Sequence, residues 1–270
     1  MSKVVIFSPS RFSLYTITVT ELLLRKGVEV QAIFVRKLVN PKRFVSEFSR
    51  DGTRLLRKIW KKLVLRQKAY APANFETIAS LMRIEGIHFH NVDELAEAHG
   101  IPIYYCQDLN DASVLEGLNT LKPEVIVFTG GGLIRKDVLA SAGAGVLNCH
   151  MGMLPSYRGM DVVEWPILKG DLVHIGLTVH FMDEGVDTGD ILRTRRVDVV
   201  RGETIKQLRD RFEPIMCREF VSTIVDFLAK KVERQPQKKG DGKQYFVMHP
   251  RLVRVAEEKL SKLILSKEDQ

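Results

Sequence analysis

The chain predicts an α/β domain on a largely parallel sheet, and three features of its sequence carry that expectation. Short apolar runs alternate with helix-period segments through the first half of its 270 residues. Gly130-Gly131-Gly132 follows the apolar run Val125-Ile126-Val127-Phe128 at once, where such sheets open their ligand crevice. Two later segments bounded by turn residues concentrate an amide, an imidazole and several carboxylates.

Val4-Val5-Ile6-Phe7 reads as a first strand, Tyr15 to Lys26 as a helix closed by Gly27, and Val28 to Val35 as a second strand. Lys37 to Lys68 breaks the rhythm. Within it Arg54 to Arg66 is a basic amphipathic helix candidate. It could pack Leu55, Ile59, Trp60 and Leu63 on the core with its charges solvated, form a surface for an anionic partner, or lie on a membrane. Asn91-x-x-Glu94 is a capping-box signature for a short helix that Gly100 ends. Ile103-Tyr104-Tyr105 and Val125 to Phe128 then read as strands.

Further on, His174 to Met182 is a strand candidate, and Ile191 to Val200 alternates like a half-exposed strand. Thr204 to Lys230 has helical periodicity that Pro214 should kink or split. Gln235 to Gly242 reads as a loop, Gln244 to Met248 as a last strand and Pro250 to Lys267 as a terminal helix. No internal repeats occur.

An apolar fraction of 45% with 27% charged residues belongs to an ordinary soluble globular protein. The N-terminus reads as a strand rather than a signal peptide, and no apolar segment approaches membrane-spanning length, so a cytoplasmic protein without membrane contact is expected. Cys106, Cys149 and Cys217 are scattered and odd in number, as reduced thiols are. A net charge of +8 favours an anionic partner without choosing one. His88 and His90 have a spacing that could serve a metal, but no further ligand cluster lies near them, so no metal is expected.

Asn148-Cys149-His150 follows Val146-Leu147, so on a strand Asn148 and His150 share one face and Cys149 takes the other. Leu154-Pro155-Ser156-Tyr157-Arg158-Gly159 is a turn-rich loop that would wall a cleft beside them, making Tyr157, Arg158 and Gly159 candidates for substrate contact. Asp183-Glu184-Gly185-Val186-Asp187-Thr188-Gly189 is a tight acidic loop whose glycines let the backbone approach a ligand.

Taken together, Asn-x-His, Leu-Pro-x-x-Arg-Gly and a loop ending in Asp resemble the formyltransferases that use N10-formyltetrahydrofolate. The resemblance is strong over about Leu121 to Leu192. It implies a Rossmann-like formyltransferase fold, with a catalytic domain over 1–200, a basic helical insertion at about 37–70, and a mostly helical extension over 201–270. It also implies that Asn148, His150 and Asp187 are catalytic, with His180 in support. Asn148 and protonated His150 would stabilise an oxyanion, and Asp187 would relay the proton of the attacking amine. The donor, N10-formyltetrahydrofolate, would lie along Gly131, Leu133 and Ile134, with Asp183 and Gly185 closing its other side.

The resemblance leaves the acceptor amine open. Ser8-Pro9-Ser10-Arg11 lacks the glycines that cradle a phosphate, which argues against glycinamide ribonucleotide. Methionyl-tRNA members carry a C-terminal β-barrel, whereas the segment after Val200 reads mostly as helix. A small-molecule amine, phosphorylated or nucleotide-linked as in an amino sugar, is therefore expected first and tRNA second. A catalytically silent folate-binding or scaffold protein is the non-enzymatic alternative, and a homo-oligomer is compatible with either.

Overall fold

Alternate residues of the central strands face opposite ways, and each face meets its own layer of helices. The computed structural model describes residues 3–37, 76–130, 132–238 and 240–265. In β1 (Lys3–Ser8), Val4 and Ile6 join one core while Val5 and Phe7 join the other. The sheet has seven strands, in the order β3 (Ile103–Cys106), β2 (Glu29–Arg36), β1, β4 (Val125–Phe128), β5 (Gly145–His150), β7 (Gly176–Phe181) and β8 (Ile191–Arg196). The first five are parallel; β7 runs antiparallel to β5, and β8 to β7.

On one face lie α1 (Leu14–Arg25), α2 (Ile78–Ile84), α3 (Val92–His99) and α7 (Ile205–Leu228), which share a single core. On the other, α4 (Ala112–Leu121) and α5 (Lys136–Leu139) cover Phe7, Phe34, Ile126 and Phe128. Beyond the sheet, β6 (Tyr157–Gly159) pairs in parallel with β9 (Lys243–Tyr245), and α8 (Pro250–Leu265) packs on α6 (Glu164–Lys169).

Local chemistry accounts for the element ends. Ser13 caps α1 by accepting from the Thr16 amide at 3.2 Å, and Gly100 closes α3 in the left-handed conformation. The capping box at Asn91 is altered: its side chain accepts from the Glu94 amide, but Glu94 turns back to the His90 amide and the Asn91 side chain instead of the Asn91 amide.

Pro214 does not split its helix. α7 runs through it unbroken, because Leu208, Phe212, Cys217, Phe220 and Ile224 bury a continuous stripe that outweighs one lost backbone bond. The last two strands are shorter than expected, β8 ending at Arg196 and β9 at Tyr245. The basic segment 54–66 and the 37–70 insertion fall outside the described residues, save for Lys37. Among the described residues no helix is long and apolar enough to cross a membrane.

A chain of hydroxyls fixes the sheet edge where the crevice opens. Ser8 meets Thr16 at 2.9 Å, Thr16 meets Thr129 at 2.7 Å, and Thr129 donates to the Phe7 carbonyl at 2.7 Å. The loop after β4 is thereby tied to the start of α1.

Candidate active site

The antiparallel register of β5 and β7 sets Asn148 opposite His180, and His150 opposite Thr178. With side chains alternating, all four project from one side of the ladder. Cys149 points the other way. Its thiol is buried and pushed well up by that burial, which leaves no nucleophile there.

The polar groups form a closed network. His180 Nδ1 lies 2.8 Å from the Phe181 carbonyl, so it must donate there and leave Nε2 as an acceptor. Asn148 Nδ2 reaches that Nε2 at 3.3 Å, which orients its amide and leaves its second N–H available. His150 Nε2 donates to the Tyr157 carbonyl at 3.1 Å, turning Nδ1 towards Asp187 Oδ2 at 3.5 Å. Asp187 Oδ1 lies 3.5 Å from His180 Nε2. Both His–Asp distances exceed a good hydrogen bond, so neither contact is a bond that an entering ligand atom would have to break.

Backbone geometry holds these groups close. Asp187 sits in the left-handed region at φ 54°, and its Oδ2 accepts from the Gly159 amide at 2.8 Å. At Gly152 a Cβ would stand 2.7 Å from His150 Nε2, so glycine is what lets the chain turn beneath the imidazole. Thr178 staples that turn, donating to the Gly152 carbonyl at 2.8 Å and accepting from the Leu154 amide at 3.0 Å.

The three residues expected to meet substrate divide. Tyr157 turns inward: its ring is buried, stacks on Tyr245 at 5.1 Å, and its hydroxyl donates to Asp171 at 2.7 Å. Its expected side-chain contact with substrate is therefore replaced by a carbonyl that anchors His150, because an aromatic ring in this loop gains more from the core than from the cleft. Arg158 donates from Nε and Nη2 to Gln237 Oε1, at 3.2 and 2.9 Å. Gly159 serves Asp187 through its amide.

A cleft of about 570 Å³ opens between the loop that follows β4 and the loop that follows β7; none of the four network residues lines it, but Val186, next to Asp187 in the chain, does. Leu133, Ile134, Met182 and Val186 give it apolar surface, and Arg36, Asp108, Asn110, Arg135, Lys136, Asp183 and Glu184 make the rest of its lining largely charged. Asn110 braces the first wall, donating to the Leu133 carbonyl at 2.9 Å and accepting from the Arg135 amide at 2.6 Å. Asp183 spends Oδ1 on the Gly185 amide and the Thr188 hydroxyl, so it shapes the second wall. Gly131 lies outside the described residues. No group of three or more metal-binding side chains occurs among the described residues, and His90 pairs with Glu94.

Burial, and then the charge of His150, push His180 down to about 4, against the pull of Asp187. Its folded value lies below its ordinary 6.5, so protons favour the unfolded chain. Stability should be full above about pH 6.5 and fall by on the order of 3 kcal/mol as pH drops towards 4. Urea midpoints of wild type and His180→Asn across that window check it: the variant should show a flatter pH dependence, and parallel curves would refute the assignment.

Residues 79–224 match the family model described as formyl transferase. The chain belongs to the formyl transferase family. Asn148, His150, His180 and Asp187 all fall inside the matched stretch of this family member. The methionyl-tRNA formyltransferase of Alkaliphilus metalliredigens is 36% identical over 134 residues, covering 49% of this chain and 42% of that protein. The chain thus spans about half the length of the curated relatives it matches.

Two solved structures share the Rossmann-like formyltransferase fold. One is phosphoribosylglycinamide formyltransferase from Bacillus halodurans, with TM-score 0.55 and 18% identity over 85% of this chain and 96% of that one. The other is an N-formyltransferase from Helicobacter canadensis in complex with folinic acid and dTDP-3-aminofucose. It aligns at TM-score 0.57 and 15% identity over 100% of this chain and 83% of that one.

Sequence reasoning missed Gln237 and the braces of the cleft. Arg36 ends β2, and Asp108 and Asn110 follow β3, so the rule placing sites at the carboxyl ends of parallel strands could have found them. Nothing local marks Gln237, which stands 50 residues from Asp187 in sequence.

Proposed function

We propose that this chain transfers a formyl group from N10-formyltetrahydrofolate to a primary amine, first of all that of a nucleotide-linked amino sugar. The observation that carries the reading is the network of Asn148, His180, Asp187 and His150, joined in sequence to the cleft lining through Met182, two residues after His180, and Val186, just before Asp187. A flat heterocycle with donors and acceptors on its rim suits a slot that joins apolar surface to a largely charged lining, and the volume is that of a small-molecule site.

The donor, when bound, supplies an activated formyl carbon. The chain's own groups do the rest. The spare N–H of Asn148 and the Nδ1–H of a protonated His150 meet the carbonyl oxygen as negative charge builds on it, each donor being worth about 2–4 kcal/mol. Asp187, its Oδ2 kept in place by the Gly159 amide, would take the proton that the amine sheds on attack, and that proton would balance the donor nitrogen as its bond to the formyl carbon breaks and tetrahydrofolate leaves. His180, neutral and tied to Phe181, orients the Asn148 amide.

The Helicobacter canadensis protein, whose structure aligns over this whole chain, is bound to a dTDP-amino sugar, and that supports the sugar reading. The second reading is methionyl-tRNA, supported by the sequence identity to such enzymes. Supplying N10-formyltetrahydrofolate with dTDP- and UDP-linked amino sugars, and separately with methionyl-tRNA, tests both by mass spectrometry of the product. A formylated sugar supports the first, and a formylated tRNA alone supports the second. Tight folate binding with neither product would favour a silent binding protein.

A further inference from the structure

We infer that Gln237 is a positioning residue for the reaction, a clamp that locks the Asp187 loop to Arg158. It rests on the proposed formyl transfer, but its geometry stands by itself. One side-chain amide makes four contacts. Nε2 donates to the Asp187 carbonyl at 3.0 Å and to the Gly189 carbonyl at 2.6 Å. Oε1 accepts from Arg158 Nε at 3.2 Å and Nη2 at 2.9 Å. Donors and acceptors are all matched, so the amide can sit only one way round.

The clamp closes a ring through the catalytic carboxylate. From Asp187 it runs through its carbonyl to Gln237, on to the Arg158 side chain, along the backbone to Gly159, and back through the Gly159 amide to Oδ2. Asp187 holds a left-handed backbone, uncommon outside glycine though more accessible to Asp than to most residues, and the bond at its carbonyl helps to hold it there. Gln237 itself is anchored upstream, where Gln235 pairs with Ile191 at 2.8 and 2.9 Å, and Arg234 lies 3.7 Å over the Phe181 ring. Residue 237 lies beyond the matched stretch 79–224, so the extension reaches back to set the geometry of the family's own site.

Two variants and two readouts test it. Gln237→Met keeps length and loses all four bonds. Gln237→Glu keeps the acceptor for Arg158 but, once ionised, opposes two carbonyls with charge. Hydrogen exchange of the 183–189 amides reads the clamp without any substrate, and should quicken in Gln237→Met while the melting temperature of the whole chain hardly moves. Unchanged exchange there would overturn the clamp, even if formyl transfer itself were refuted. For turnover, Gln237→Met should lower kcat by about 10- to 100-fold with little change in donor KM. Gln237→Glu should regain activity relative to wild type as pH falls and its carboxyl protonates. A loss that appears in KM alone, or that follows a large drop in melting temperature, would make Gln237 merely structural.

Discussion

Asp187→Asn should lower formyl transfer by about 10²- to 10⁴-fold while folate binding stays close to wild type. The substitution preserves shape. An amide oxygen can still accept from the Gly159 amide, so the loop keeps its path. What disappears is the capacity to hold a proton and the negative charge that faces His150 and His180 at 3.5 Å each. Without that charge a protonated His150 loses its only anionic neighbour in the network, so oxygen stabilisation and proton transfer weaken together. Their losses should not add, because one carboxylate serves both. Single-turnover kinetics with calorimetry of 5-formyltetrahydrofolate binding would separate the steps. Turnover close to wild type would remove Asp187 from the chemistry, and lost binding would make it part of the donor site instead.

Gly159→Ala should cost both the fold and the reaction. Its φ of 92° is strained for any side chain, and a Cβ would stand 2.2 Å from the Tyr245 carbonyl, well inside contact distance. Two terms combine, about 1–3 kcal/mol for the backbone conformation and about 1–3 for the overlap. Relief is available only by parting β6 from β9, which would draw the Gly159 amide off Asp187. A denaturation midpoint lowered by several kcal/mol, with turnover falling further than the folded fraction explains, is the expected result. An alanine variant of native stability would mean that this contact is looser than its geometry implies.

Much of this was legible in residue order, because the forces involved are local. Buried parallel strands read as apolar runs, and period two put Asn148 and His150 together with Cys149 opposed, as the register has them. Gly100 ends its helix where capping chemistry places it. The misreadings came from tertiary packing. Pro214 carries a helix-breaking local signal, overruled by a buried stripe that only the assembled core creates. Tyr157 sat among loop residues, and nothing nearby announced that Tyr245 would stack on it. The bonds of Asn110 and Gln237 span 23 to 79 residues, distances at which periodicity says nothing.

Because Asn148 faces His180 rung to rung across neighbouring strands, insertions and deletions in this protein should obey a parity rule. Lengthening either strand by one residue would send the amide or the imidazole through to the helical layer, whereas a two-residue change would restore sidedness while shifting the rungs. The hairpin between Phe181 and Ile191 escapes that arithmetic only where it carries no part of Asp187's support. Natural variation in length should therefore be nearly absent within the two strands themselves.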